Sequence, residues 1–246
     1  RINSLKAKKE EVIKMLDQEG IKYQDTILPY ALKTYGPVQK TKLFYHGKIT
    51  IQDLSAQFVS EILSPSSEDR IIDLCAAPGG KAAHLAALMK NNGEIIACDI
   101  HPHKLKLMEN GFKMLGITNI KTQLLDARNA GDMFSKASFD KVLADVPCSG
   151  LGVISHKADL KYRLDNEVLK GLVLLQKEIL EASWSLLKPG GFYLYSTCTL
   201  NKEENEEQIA AFLERHSDAV KVEEKKILPY MYQSDGFYIC KLRRII

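Results

Sequence analysis

Two short runs in this sequence put a thiol where an apolar strand-like stretch gives way to a polar loop. They are Asp145-Val-Pro-Cys-Ser-Gly150 and Tyr195-Ser-Thr-Cys-Thr199, carrying Cys148 and Cys198. A lone cysteine is by default a small buried hydrophobe. Strand ends of parallel sheets, however, are where α/β proteins bind their ligands. Two such thiols beside a carboxylate suit one difficult reaction. Carbon-5 of cytosine is too weak a nucleophile to take a methyl group directly, but a thiolate adding at carbon-6 makes it enamine-like and able to attack a sulfonium methyl. The carbon-5 proton must then leave and the thiol must be eliminated, so one cysteine attacks while a second group aids release. Asp145 suits the remaining need, a carboxyl group near ring nitrogen 3 that stabilises the adduct. The base has to be swung out of any stack to reach such a pocket.

A methyl donor needs its own site, and Asp73-Leu-Cys-Ala-Ala-Pro-Gly-Gly-Lys81 has the context for one, after a strand and opening a helix. Small residues let the backbone approach a ligand closely, and a helix N-terminus offers free amides to a carboxylate. The run is neither GxGxxG nor GxxxxGK[ST], so a nucleotide phosphate is not the favoured ligand. Asp99 ends the next strand, nineteen residues after Gly80, where a carboxylate can hold ribose hydroxyls. Asp126 ends the third strand and Asp145 the fourth. A ribose, an amine-bearing base and a carboxylate in one ligand point to S-adenosylmethionine, and this layout looks like the class I methyltransferase fold.

The elements that must position these residues follow from periodicity. From residue 69 onward apolar runs alternate with helical patterns: "RIIDLC" with a helix over 81–90, "EIIACD" with one over 102–115, "IKTQLL" with "DARNAGDMF", and "FDKVLAD" with a long helix over 167–187. "GFYLYST" and "NKEENEEQIAAFLERH" complete the series, the latter's acids opposing a helix dipole and staying solvated. Such alternation predicts a mainly parallel α/β sheet with right-handed crossovers. "LKPGG" should end the long helix, and "GFYICKLRR" should add an antiparallel strand, exposed or at an edge. Ahead of this, a helix over 4–20 and strand-like runs "KYQDTIL" and "KLFYHGKITI" predict a small α+β unit over residues 1–50, leaving 51–246 as the larger domain.

The chain of 246 residues is 45% hydrophobic, enough for a packed core. No apolar run approaches the ~20 residues that cross a bilayer, so a cytoplasmic protein without a membrane partner is expected. Five cysteines, at 75, 98, 148, 198 and 240, show no metal-binding spacing and read as reduced thiols; no metal is expected. His101-Pro-His103 reads as a helix-start turn. Residues 1–48 hold ten Lys/Arg against five Asp/Glu, while the other 198 hold 24 against 26. The basic surplus sits at the N-terminus, where a polyanion would be met.

The motifs "DLCAAPGGK", "DVPCSGLGV" and "YSTCTLNKEENE", with "IQDLSAQF", strongly resemble those of the Nop/Sun family of RNA cytosine-5 methyltransferases, over almost the whole chain. The opening and closing segments resemble the bacterial branch that acts on 16S (small-subunit) ribosomal RNA. The resemblance implies Cys198 as nucleophile and Cys148 as the group assisting release, the reverse of the DNA enzymes. It implies that Cys75, Ala76, Ala77, Pro78, Gly79, Gly80 and Lys81, with Asp99, Asp126 and Asp145, hold S-adenosylmethionine, and that Lys81 pairs with Asp145. It implies that residues 1–50 are an RNA-recognition-like subdomain of a monomeric enzyme. The sequence departs from the family in three places: it lacks the branch's N-terminal helical domain, it has Ser155-His156 where basic residues usually follow "GLGV", and "DLSAQF" lacks the usual acidic-serine pair. Transfer RNA as substrate, or a catalytically idle RNA-binding assembly factor, are the other readings.

Overall fold

The computed structural model describes residues 1–154 and 165–245. Near the N-terminus, α1 (Lys9–Gln18) stops before Gly20, which takes a left-handed φ of +67°. Val12 and Leu16 on its inner face pack with Ile2, Val38, Leu43 and Ile49 in a cluster of their own. The small antiparallel sheet pairs β1 (Lys22–Asp25) with β2 (Leu32–Tyr35). The run "KLFYHGKITI" is therefore not the second strand. Thr41 caps a helical turn, α2 (Lys42–Tyr45), by accepting from the Phe44 amide, and Ile49 makes only an isolated bridge to Ile2. Asn3 ties this unit to the rest, donating through Nδ2 to the carbonyls of Gly47 and Leu115 at 2.8 Å each.

The remaining elements are α3 (Leu54–Leu63), β3 (Arg70–Asp73), α4 (Gly80–Leu88), β4 (Glu94–Asp99), α5 (Pro102–Leu115), β5 (Ile120–Leu124), α6 (Ala130–Met133), β6 (Phe139–Asp145), α7 (Asn166–Trp184), β7 (Leu187–Thr197), α8 (Glu206–Arg215), β8 (Ala219–Ile227), α9 (Pro229–Tyr232) and β9 (Phe237–Arg244). Seven strands form one sheet in the order β5-β4-β3-β6-β7-β9-β8. Neighbours from β5 through β7 are parallel, and β9 is antiparallel to both β7 and β8.

Adjacent residues on the central strands bury on opposite faces, as a period of two requires. Ile72, Ile96, Val142 and Tyr193 join the cluster around Trp184 of α7 and Phe212 of α8. Ile71, Ile95, Leu143 and Leu194 join the other, with Phe58 and Leu63 of α3 and Leu85 of α4. Crossovers reverse direction between β3 and β6, which creates the crevice at the strand C-termini where α/β sheets take ligands.

Three expectations are corrected, and one strand is added. β9 is neither exposed nor at the edge: its first four residues are buried between β7 and β8. The edge is β8, whose charge-rich "AVKVEEKKI" conceals a strand; Lys and Glu along an exposed edge discourage pairing with another chain. "LKPGG" does not terminate a helix. α7 ends at Trp184, and the run opens β7, with Gly190 at φ +81° and a register shift opposite Phe139 and Lys141 absorbing the proline. Asp126 does not end β5, which stops at Leu124; it caps the 3-10 turn Ala127–Asn129 by accepting from the Arg128 amide.

Candidate active site

Four carboxylates stand along the C-terminal margin of the sheet: Asp73 ends β3, Asp99 ends β4, Asp145 ends β6, and Asp126 follows β5 by two residues. Between β3 and α4 runs the turn containing Cys75, Ala76, Ala77, Pro78 and Gly79. The Ala76 amide donates to the Cys98 carbonyl at 2.7 Å, so the turn is fixed to β4. Gly79 adopts φ +97°, and a Cβ there would come within 2.9 Å of Phe112 and 3.2 Å of Met108. Only glycine fits. Gly79→Ala is expected to destabilise the fold by about 1–3 kcal/mol and to weaken S-adenosylmethionine binding, as thermal unfolding and calorimetric titration would read.

Lys81, in the first turn of α4, reaches back to Asp145 at 2.7 Å. Ser196 of the neighbouring strand donates its hydroxyl to the other Asp145 oxygen at 2.7 Å. Burial works to lower the Lys81 pKa, but Asp145, then Asp73 and Cys198, outweigh it and hold the ammonium above its ordinary value. The same ammonium lies over the Phe237 ring, 5.2 Å from its centre.

Cys148 and Cys198 meet on the far side of Asp145, with 3.4 Å between sulfurs. Val146 N–H to the Ser196 carbonyl, 3.0 Å, is the last sheet-like bond before the two loops diverge. Contact with Cys198, then burial, pushes the Cys148 thiol well above the ordinary range. Beyond the thiols, the Gly152 amide donates to the Cys198 carbonyl and the Gly236 amide to the Gly152 carbonyl, both at 2.9 Å. A Cβ on Gly152 would lie 2.1 Å from the Gly236 oxygen, so the three loops meet backbone to backbone.

Next to the glycine turn opens a cleft of about 550 Å³, lined by Cys75, Asp99, Ile100, Asp126, Pro147 and Leu174 among others. Asp99 accepts from the His101 amide at 2.9 Å and faces Lys104 at 3.7 Å. Asp126 is held by Arg128, whose guanidinium bonds both carboxylate oxygens at 2.6–3.1 Å. Its carboxyl accordingly sits below the usual range, Arg128 being the main cause. An apolar slot, two carboxylates and a glycine turn at a helix N-terminus fit a ligand with a base, a sugar and a carboxylate. Ser155 and His156 lie outside the described residues. Among the described residues no three His, Cys, Asp or Glu side chains cluster as metal ligands, and no helix is long and apolar enough to cross a membrane.

Two buried acids escape a reading of the sequence. Asp73 is 1% exposed, and no side chain among the described residues donates a hydrogen bond to either carboxylate oxygen. Burial, then repulsion from Asp145, lifts its pKa from 3.8 to about 7, against an opposing pull from Lys81. It lies under the glycine turn, where a cationic part of a ligand would relieve it. The folded chain thus holds this proton more tightly than the unfolded chain does. The resulting stability is fully present below pH ~4 and is lost as pH rises through about 7. Urea unfolding should show wild type losing stability across that window relative to Asp73→Asn, with a slope of up to about 1.4 kcal/mol for each pH step of one. Equal pH dependence in the two proteins would contradict it.

Glu204 is the second. The acidic run is expected from sequence to stay solvated, but Glu204 and Asn205 are both 0% exposed, and only the residues from Glu206 onward form the first turn of α8. The available signal is position: these acids follow the Cys198 loop directly and precede the helix rather than lying within it.

A seven-stranded sheet in this order, with β9 reversed and a glycine turn at its switch point, is that of a class I methyltransferase. Comparison with known proteins narrows the class. Residues 60–243 match the family described as 16S rRNA methyltransferase RsmB/F. The probable ribosomal RNA small subunit methyltransferase B of Bacillus subtilis (strain 168) is 39% identical, over 99% of this chain and 59% of that protein. The crystal structure of PH0851 superposes with a TM-score of 0.96 at 36% identity, over 99% of this chain and 58% of the other. A methyltransferase homolog protein from Pyrococcus horikoshii gives a TM-score of 0.88 at 28% identity, over 100% of this chain and 85% of the other. The chain belongs to the 16S rRNA methyltransferase RsmB/F family, and it spans about three fifths of the length of the curated relatives it matches.

Proposed function

We propose that this chain transfers a methyl group from S-adenosylmethionine to carbon-5 of a cytosine in 16S ribosomal RNA, through a covalent bond between Cys198 and carbon-6. The observation that carries this reading is the thiol pair at 3.4 Å beside the Lys81–Asp145 ion pair. S-adenosylmethionine supplies an electrophilic methyl on a sulfonium. Residues 75–81, with Asp99, Asp126 and Asp145, would hold it, the free amides at the α4 N-terminus suiting its carboxylate.

The protein's own groups divide the remaining work. Cys198 is the attacking thiol, its sulfur interacting with the Lys81 ammonium. Its sulfur bonds carbon-6, and electron density moves to carbon-5, which takes the methyl. Asp145, fixed from both sides by Lys81 and Ser196, steadies the ring at nitrogen 3. Loss of the carbon-5 proton to solvent then breaks the carbon-6–sulfur bond and restores the aromatic ring, a step that Cys148 assists by giving its proton to the departing Cys198 sulfur. Residues 1–50, with their basic surplus, form the RNA-binding subdomain ahead of a catalytic domain over 51–246, and the enzyme acts as a cytoplasmic monomer.

Labelled methyl transfer to unmethylated small-subunit ribosomal RNA tests the reading, with the product nucleoside identified and its position mapped. A single 5-methylcytosine is expected. Transfer to transfer RNA alone, or a methyl on another base, would overturn it.

A further inference from the structure

Beyond Val146 and Ser196 the sheet no longer holds the two cysteine loops in register, yet their thiols touch. The connection is made by the buried Glu204 carboxylate. One oxygen accepts from the Ser149 amide at 2.8 Å and from Gln176 Nε2 at 3.0 Å. The other accepts from the Ser149 hydroxyl at 2.5 Å and from Asn201 Nδ2 at 3.4 Å. Ser149 and Thr199, each one residue beyond a thiol, also share a hydroxyl contact of 2.8 Å. Gln176 of α7 bonds the Pro147 carbonyl at 2.9 Å, and Tyr195 donates its hydroxyl to the Glu204 carbonyl at 2.6 Å. Both the residue before Cys148 and the residue after it are thereby fixed to the loop that carries Cys198.

A fully buried carboxylate with no ion pair among the described residues is costly unless hydrogen bonds satisfy it. Glu204 meets that condition with donors from three separate segments: the Cys148 loop, its own loop and α7. Generic stabilisation would not require a donor directly after Cys148 that is also hydrogen-bonded to the residue directly after Cys198. We propose that Glu204 is a positioning residue that sets the distance between Cys148 and Cys198, and with it the balance between attack and release. The proposal rests on Cys198 as the attacking thiol and Cys148 as the group that aids release.

Glu204→Gln keeps the shape but turns one acceptor into a donor, which faces the Ser149 amide and Gln176 Nε2 in one orientation and Asn201 Nδ2 in the other. The two loops separate, and Cys148 loses the contact that keeps its proton. The primary test needs no RNA. Iodoacetamide alkylation of the folded protein is followed across pH by peptide mapping, with buried Cys98 and Cys240 as internal controls. At pH 8, Cys148 should alkylate on the order of tenfold faster in Glu204→Gln, the change that a pKa lower by one represents. Ser149→Ala, which removes both hydroxyl contacts and keeps the backbone bond, should change the profile the same way by less, and it serves if Glu204→Gln does not fold. An unchanged Cys148 profile in either folded variant would overturn the proposal.

With RNA, the fraction of enzyme trapped as covalent complex should rise in Glu204→Gln. In a Cys148→Ala background the same substitution should add little, because both act on release. Fully additive losses would mean that Glu204 is merely structural. Wild type that makes no methylated product would instead sink the functional reading and leave the alkylation result to decide the role of Glu204.

Discussion

Replacing Cys198 by alanine is expected to abolish both methyl transfer and covalent capture of RNA. No other described group can take its place. Cys148 is 3.4 Å away but holds its proton, and burial pushes Cys75 well above the thiol range, with Asp73 and Asp145 adding to it. Without addition at carbon-6, carbon-5 has no electron density to offer, so the loss should be on the order of 10⁴-fold or more. Binding of S-adenosylmethionine should survive, since the cleft lined by Asp99 and Asp126 does not include Cys198. Single-turnover transfer, with cofactor affinity measured in parallel, separates the two effects. A Cys198→Ala enzyme that still methylates would assign the attack to another residue.

Cys148→Ala is expected to fail at the opposite end of the reaction. The attacking sulfur and its Lys81 neighbour remain, so RNA should still be captured and methylated once. Release should slow by about 10²–10³-fold, the usual contribution of one positioned proton-transfer group. A methylated covalent protein–RNA complex should accumulate and be visible on a denaturing gel. Removing the thiol also removes the contact that Cys198 makes with it. The attack step should nonetheless persist in this variant even as turnover collapses, which a rapid-quench measurement would separate. Free product at the wild-type rate would show that Cys148 has no part in release.

Whether a residue is legible in the sequence depends on whether its role is local. The glycine turn, the carboxylates at strand ends and both cysteines can be read from short runs, because turn chemistry and the strand-to-helix change leave local marks. β9 can be recognised as a strand but not placed, since a burial pattern does not reveal which strands lie on either side. β8 escapes notice because an exposed edge carries charges like those of a solvated loop. Proline and glycine in "LKPGG" are helix terminators by propensity, yet pairing with β6 draws the same residues into β7. Glu204 is the least legible. Its burial depends on donors from Ser149, 55 residues away, and Gln176, 28 residues away, and no short window of sequence contains both. Asp73 belongs to a recognisable motif, but that no described side chain bonds its carboxylate is visible only in three dimensions.

The most direct measurement is capture of an RNA carrying 5-fluorocytidine at the mapped position. Fluorine cannot leave carbon-5 as a proton does, so the adduct formed after methyl transfer has no route to elimination. Protease digestion and mass spectrometry then locate the bond. A single adduct on the peptide containing Cys198, dependent on S-adenosylmethionine for the added methyl, is the expected result. An adduct on Cys148, or efficient methylation of ordinary RNA with no adduct on the fluorinated one, would contradict the proposed mechanism at its central step.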